Sequence, residues 1–220
     1  MRVIIFSNGD LRDSAQALAF IRPDDFLIAA DGGAHHCWAL GLTPAVVIGD
    51  FDSLTRDERT YLEAAGVQMI QHPSRKDFTD LELALQHAIS LQAEEIIIFG
   101  ALGARWDQTL ANILLPAAPG FEQARIRLLD GTQEISILRA GETLTLVGQP
   151  GDIVSLIPLR GHATGITTLG LEYPLTDSPL YFGASRGVSN VLLGDQATVQ
   201  LKTGLLLCVV IHETTRINID

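Results

Sequence analysis

Apolar residues gather in short runs along the first 125 positions: Val3 to Phe6, Phe26 to Ala30, Ala45 to Ile48, Val67 to Ile70 and Glu95 to Phe99. Runs of this length without alternation read as strands buried on both faces. The segments between them, near 13–22, 33–40, 55–65 and 79–91, carry helical spacing, clearest where Leu81, Ala84, Leu85 and Ala88 share one face. Thr55 with Glu58 and Thr79 with Glu82 have the spacing of capping boxes. Strand alternating with helix predicts a mostly parallel, Rossmann-like sheet with helices on both faces.

The pattern then changes. Arg125–Leu129, Glu134–Leu138, Thr143–Val147, Ile153–Ile157, Ala197–Leu201 and Leu205–Ile211 are β-type runs set apart by turns such as Asp130-Gly131, Ala140-Gly141 and Pro150-Gly151. No strong helical period follows, so a C-terminal antiparallel β-sandwich is expected. The change lies within 119–140, and a division into 1–131 and 132–220 follows from it.

Composition narrows the function. A formal net charge of −11 argues against a nucleic-acid partner. No apolar run approaches the ~18 residues needed to cross a bilayer, and MRVIIFSNGD reads as a first strand rather than a signal peptide. Cys37 and Cys208 stand far apart with no metal-ligand spacing, as expected of buried thiols in a reducing cytoplasm.

In an open α/β sheet, ligands bind beyond the carboxyl ends of the strands. The residues following the predicted strands are Ser7-Asn8-Gly9-Asp10, Asp31-Gly32-Gly33, Gly49-Asp50-Phe51-Asp52-Ser53, Lys76-Asp77-Phe78-Thr79-Asp80 and Gly100 through Asp107. Every one contains an aspartate. Converging carboxylates repel unless a proton or cation intervenes, and oxygen donors at a partly open site suit Mg2+. Gly32-Gly33 and Gly100/Gly103 permit close approach of a phosphate to a helix start, with Arg105 and Lys76 as counter-charge. Neither a P-loop nor a G-x-G-x-x-G fingerprint is present.

These loops resemble those of the thiamine pyrophosphokinases. The similarity is carried, in the family's order, by DGGAHHCWALGLTPAVVIGDFDSL (31–54), KDFTDLELAL (76–85), GALGARWDQTLANILLP (100–116), GLEYPL (170–175) and SRGVSN (185–190). The resemblance implies an ATP-binding catalytic domain over 1–131 and a thiamine-binding sandwich over 132–220. It implies transfer of the diphosphate of ATP to thiamine, with Mg2+ as cofactor. Asp50, Asp52 and Asp80 are the implied metal carboxylates, and Asp107 joins them as a catalytic group. Asp31, Gly32, Gly33, Lys76, Asp77, Thr79 and Arg105 are implied at ATP, and Ser185, Ser189 and Asn190 at thiamine. Either Asp107 or Asp80 is the implied acceptor of the thiamine proton. The family works as a homodimer, which sets SRGVSN of one chain against the aspartate loops of the other. Ala104 and Gln108 depart from the common G-G-R-x-D-H, and Val191 stands where an acid is frequent.

Three rival readings have distinct signatures. Gly183-Ala184-Ser185-Arg186-Gly187 matches the nucleophile-elbow pattern of hydrolases, which requires a strand before the serine and a helix after it. A pyrophosphokinase for a pterin alcohol would share the acidic loops but not SRGVSN. A binding-only descendant would have no use for every aspartate loop. His35-His36-Cys37 has the look of a metal cluster, but neighbours on a helix point to different faces, which favours surface or packing roles.

Overall fold

The computed structural model describes residues 1–213, which divide into two compact units, Met1–Asp130 and Gly131 onward. The first unit runs β1 (Arg2–Phe6), α1 (Ser14–Phe20), β2 (Phe26–Ala30), α2 (Gly33–Ala39), β3 (Val46–Gly49), α3 (Arg56–Ala64), β4 (Gln68–Gln71), α4 (Asp80–Ser90), β5 (Glu95–Phe99), α5 (Trp106–Leu114), a 3-10 turn (Leu115–Ala117) and β6 (Arg125–Asp130). Its strands lie in the order β6-β5-β1-β2-β3-β4, all parallel. The apolar runs explain the centre of this sheet. Val3 through Phe6 and Ile96 through Ile98 are fully buried, as strands covered on both faces must be. β4, with glutamines at both ends, forms the edge.

From β1 the chain steps outward through β2, β3 and β4, then returns to the other side of β1 for β5 and β6. This reversal places a switch point between β1 and β5, the kind of position at which open α/β sheets bind ligands. At the opposite edge, Arg2 meets Asp25 at 3.3 Å and Glu95 at 3.6 Å, and Arg127 meets Glu95 at 2.7 Å. Both guanidinium groups lie over the Phe20 ring. The Arg2–Arg127 cluster thus lies at the opposite ends of the strands from the post-strand aspartate loops.

The capping expectations differ in outcome. Thr55 and Glu58 form the full reciprocal box at the start of α3. Thr79 accepts from the Glu82 backbone at the start of α4, one arm of such a box.

The second unit comprises β7 (Gln133–Arg139), β8 (Thr143–Val147), β9 (Ile153–Pro158), β10 (Ala163–Leu169), β11 (Ser178–Leu180), β12 (Asn190–Val191), β13 (Gln196–Gln200) and β14 (Leu205–Ile211). They form two antiparallel sheets, β12-β9-β14-β7 and β11-β10-β13-β8. A shared core that includes Leu138, Val154, Leu156, Ile166, Val199 and Leu206 lies between them, as in a β-sandwich. β10 has no counterpart in the apolar pattern. Gly165 takes φ +68° inside it and the register shifts between Ala163 and Ile166, so a bulge breaks the alternation that marks a strand. β11 contains Pro179, tolerated because this strand is an edge.

Candidate active site at the carboxyl edge of the parallel sheet

Asp31 ends β2 in the left-handed region, φ +44°, with its N–H donated to the Ile48 carbonyl at 2.8 Å. Its side chain faces Gly49 of the neighbouring strand. A Cβ at position 49 would stand 2.8 Å from the Asp31 Cβ and 3.2 Å from Oδ1, so glycine there is what lets the carboxylate lie across the strand ends. Asp31 is only 6% exposed, and its Oδ1 is buried without a hydrogen-bond partner.

The loop after β3 brings two more acids. Asp50 Oδ1 accepts the Asp52 backbone N–H at 3.1 Å, and Phe51 between them is buried with φ +64°. The Arg59 guanidinium donates to the Phe51 carbonyl and lies 5.4 Å from the centre of its ring. Arg59 belongs to α3, whose start the Thr55–Glu58 box fixes. The turn carrying both aspartates is therefore clamped from the helix it leads into.

Carboxylate oxygens of Asp31, Asp50 and Asp52 lie within 4.8 Å of one another. Asp80, at the first turn of α4, pairs with Lys76 Nζ at 2.8 Å. Burial pushes the Asp80 carboxyl above the usual carboxylate range; Lys76 opposes this, while the charges of Asp31 and Asp50 add to it. Asp50 is held below that range, chiefly by the Asp52 N–H, with the Ser74 side chain and Lys76 contributing. Four acids thus feel one another across three post-strand loops, with one lysine among them. A carboxylate with a buried, unpartnered oxygen beside two others fits a hard divalent cation, which takes carboxylate oxygens.

The other candidate residues are distributed around this cluster. Gly32 and Gly33 open α2, and a Cβ on either would collide, with the Asn8 side chain at 2.4 Å or the Phe6 carbonyl oxygen at 2.0 Å. Asp77 is exposed, and the Thr79 hydroxyl serves the α4 cap. Arg105 and Asp107 pair with each other in a two-pronged contact of 3.2 and 2.5 Å at the start of α5, each about two-thirds exposed (66% and 68%). Their mutual hydrogen bonds lower the Asp107 pKa and raise that of Arg105. Trp106 between them is 84% exposed.

Sequence reasoning passed over the residues that hold the 100–105 loop. Thr109 Oγ1 both donates to the Gly103 carbonyl and accepts from its N–H at 3.1 Å, and Asn112 donates to the Ala101 carbonyl at 2.7 Å. Their i, i+3 spacing on α5 was the available signal, two polar side chains on one face of a largely apolar helix.

In the second unit, Ser185 and Ser189 are exposed on the loop between β11 and β12. Ser189 has φ +60°, and its N–H donates to Ser155 Oγ at 3.1 Å. The Asn190 side chain makes three hydrogen bonds nearby. Its Oδ1 accepts from the Tyr173 and Val191 backbones at 3.0 and 2.9 Å, and its Nδ2 donates to the Tyr173 carbonyl at 2.8 Å. Asn190 staples GLEYPL to SRGVSN. The serine-elbow reading fails on this geometry, because Gly183 to Gly187 lie between edge strands β11 and β12, with no helix after the serine.

Comparison with known proteins accords with this arrangement. The model of the thiamin pyrophosphokinase catalytic domain matches residues 18–128, and that of the thiamin pyrophosphokinase vitamin B1 binding domain matches 141–206. Thiamine pyrophosphokinase of Bacillus subtilis is 32% identical over 182 residues, covering 83% of this chain and 85% of that protein. The crystal structure of the Bacillus subtilis enzyme superposes with a TM-score of 0.87 at 28% identity, covering 97% of this chain and all of the other. The yeast enzyme, 17% identical over 96% of this chain and 86% of its own, shares the fold with a TM-score of 0.76.

Proposed function

The chain belongs to the thiamine pyrophosphokinase family, and from that premise we propose that it transfers the terminal diphosphate of ATP to the hydroxyl of thiamine, releasing AMP. The observation that carries the reading to the site is the meeting of Asp31, Asp50 and Asp52 oxygens within 4.8 Å, one of them buried and unpartnered. Asp50 and Asp52, with Asp31 beside them, would hold Mg2+, and Asp80 supports the set by its charge. Bound there, Mg2+ supplies positive charge that offsets that of the phosphate oxygens.

The thiamine oxygen attacks the β-phosphorus; its bond to phosphorus forms as the bond from that phosphorus to the α,β-bridging oxygen breaks, and AMP carries away the electron pair. Such a transfer depends on positioning and electrostatics rather than on covalent protein chemistry. Lys76, tethered by Asp80 at 2.8 Å, brings a cation to the phosphates, and Arg105 a second one with a two-pronged donor face. The proton of the thiamine hydroxyl goes to Asp107 or Asp80. Asp80 has the support of a carboxyl pushed upward by burial, the direction that suits a proton acceptor working near neutrality. The thiazolium of thiamine is cationic, and a chain of net charge −11 draws it in.

Within this reading, the first unit binds ATP and the second binds thiamine through Ser185, Ser189 and Asn190, the last also shaping their loop. The enzyme works as a cytoplasmic homodimer whose thiamine residues serve the partner's aspartates. Exposed Tyr173, Tyr181, Phe182 and Val188 around SRGVSN support a covered surface there.

The test is product identity. Purified protein with ATP, Mg2+ and thiamine is expected to yield AMP and thiamine diphosphate together. ADP with thiamine monophosphate would move the attack to the γ-phosphorus, and no product would point to another alcohol acceptor or to binding alone.

A further inference from the structure

His35-His36-Cys37 is a chemistry-bearing motif that the site above leaves unused. Its members point apart: His35 Nε2 lies 3.2 Å from Glu58 Oε1, Cys37 is wholly buried, and His36 turns toward the strand ends. A shared metal is therefore ruled out by direction alone. The structure assigns His36 a different task, that of a positioning residue for the two loops that flank the switch point.

His36 Nε2 donates to the Gly9 carbonyl oxygen at 2.8 Å. A carbonyl only accepts, so the ring carries its hydrogen on Nε2. The loop it grips is zipped to the loop after β5. Ser7 N–H donates to Phe99 O at 2.9 Å, Gly9 N–H to Gly100 O at 2.7 Å and Asp10 N–H to Leu102 O at 2.7 Å. The pairing of β1 with β5 thus continues past the strand ends, through backbone that sits over the crevice. Gly100 turns there with φ +65°, and a Cβ on it would stand 3.3 Å from the imidazole and 2.5 Å from Ser7 O. The ring fills the space that this glycine leaves.

The reach of His36 is set by the entry of α2. Gly33 presses against the Phe6 carbonyl, so the helix begins on the end of β1 and its second turn passes beside the Gly9 loop. One side chain on α2 thereby fixes backbone from β1 and β5 together. Its register is also that of Asp31, two residues before the helix.

This assignment rests on the reading that ATP is held at this edge of the sheet. Its consequence is a selective effect. Loosening the Gly9 and Gly100 loops weakens ATP binding and leaves thiamine untouched. Steady-state kinetics of H36A, H36N and H36Q, with melting temperatures for each, test it. In H36A and H36N the KM for ATP rises about five-fold, the equivalent of one neutral hydrogen bond at about 1 kcal/mol. The KM for thiamine and kcat stay within about two-fold. Gln restores the ATP KM because its amide nitrogen falls where Nε2 was, whereas Asn reaches only the Nδ1 position. An unchanged ATP KM in H36A, or H36Q no better than H36N, overturns the assignment while leaving the enzyme's activity standing. Inactivity of the unmodified protein would instead overturn the functional reading. In that event nitrogen NMR of the His36 ring still decides, since hydrogen on Nδ1 rather than Nε2 refutes the contact itself.

Discussion

Replacing Asp31 with Asn should make the metal-free protein more stable and its response to magnesium weaker, two effects of opposite sign from one neutralised charge. Three carboxylate oxygens lie within 4.8 Å of one another. At that separation each pair of unit charges repels by about 0.9 kcal/mol in water-like surroundings and about 3.5 kcal/mol at an effective dielectric near 20. Asp52 is exposed, which argues for the lower figure, and Asp31 is buried, which argues for more. Asp31→Asn removes two of the three pairs, a relief of about 2 kcal/mol at the lower bound. An amide in place of the unpartnered Oδ1 takes back about 1 kcal/mol for an imperfectly satisfied polar group. The net gain is about 1 kcal/mol, or roughly 2–4 °C in melting temperature for a chain of this size. Asn is the right substitute because it tolerates the φ of +44° at this position better than most side chains. Magnesium at 100 times its dissociation constant stabilises the unmodified protein by about 2.7 kcal/mol, and a ten-fold weaker site reduces this to about 1.4 kcal/mol. Melting curves in EDTA and in a magnesium series measure both terms. If D31N melts below the unmodified protein in EDTA and keeps the same magnesium response, the acids are not a mutually repelling cation site.

Further predictions concern separate parts of the molecule. Asp50→Asn and Asp52→Asn should each lower kcat by at least about 100-fold with far-UV circular dichroism unchanged, since preorganised charge at the transferred group carries much of such catalysis; near-normal turnover in either would remove that residue from the site. Gly49→Ala should cut activity at least as much as it cuts stability, because the new methyl displaces Asp31 from 2.8 Å away; an unperturbed enzyme would show that Asp31 can shift without consequence. Cys37 and Cys208 are pushed up to about 12 by burial, so at pH 8 only about one thiol in ten thousand is ionised. Ellman's reagent should then find no reactive thiol in the native protein and both after denaturation. Asn190→Ala should cost about 1–3 kcal/mol in urea unfolding through the loss of its staple, whereas Ser185→Ala should leave stability within about 0.5 kcal/mol and raise the KM for thiamine.

Much of the architecture could be read before any coordinates, and for a local reason. Burial on both faces demands continuous apolar runs, so β1, β2, β3 and β5 announce themselves within four or five residues. The capping residues Thr55 and Thr79 mark their helices by the same locality, since each cap and its glutamate partner are only three residues apart. The aspartates were legible as a group because a parallel sheet sends every post-strand loop to one edge. Which aspartates meet was not. Asp31 and Asp50 are 19 positions apart, and their approach depends on the β2–β3 register and on the missing side chain of Gly49.

The class of each unit, the edge where the aspartate loops collect and, through ordered motifs from 31 to 190, the family were all readable from the chain alone. Those properties follow from periodicity and short-range spacing, which survive without knowledge of the fold. The tertiary structure decided the roles of individual side chains. It gave Asn190 the bonds of a staple to Tyr173, placed Thr109 and Asn112 under the 100–105 loop, sent His36 to Gly9 across 27 positions, and put β10 where a bulge had hidden it. Each of these depends on a partner outside its own helix or strand. A hydrogen bond's partner is set by where the backbone passes in space, and no pattern of neighbouring residues encodes that.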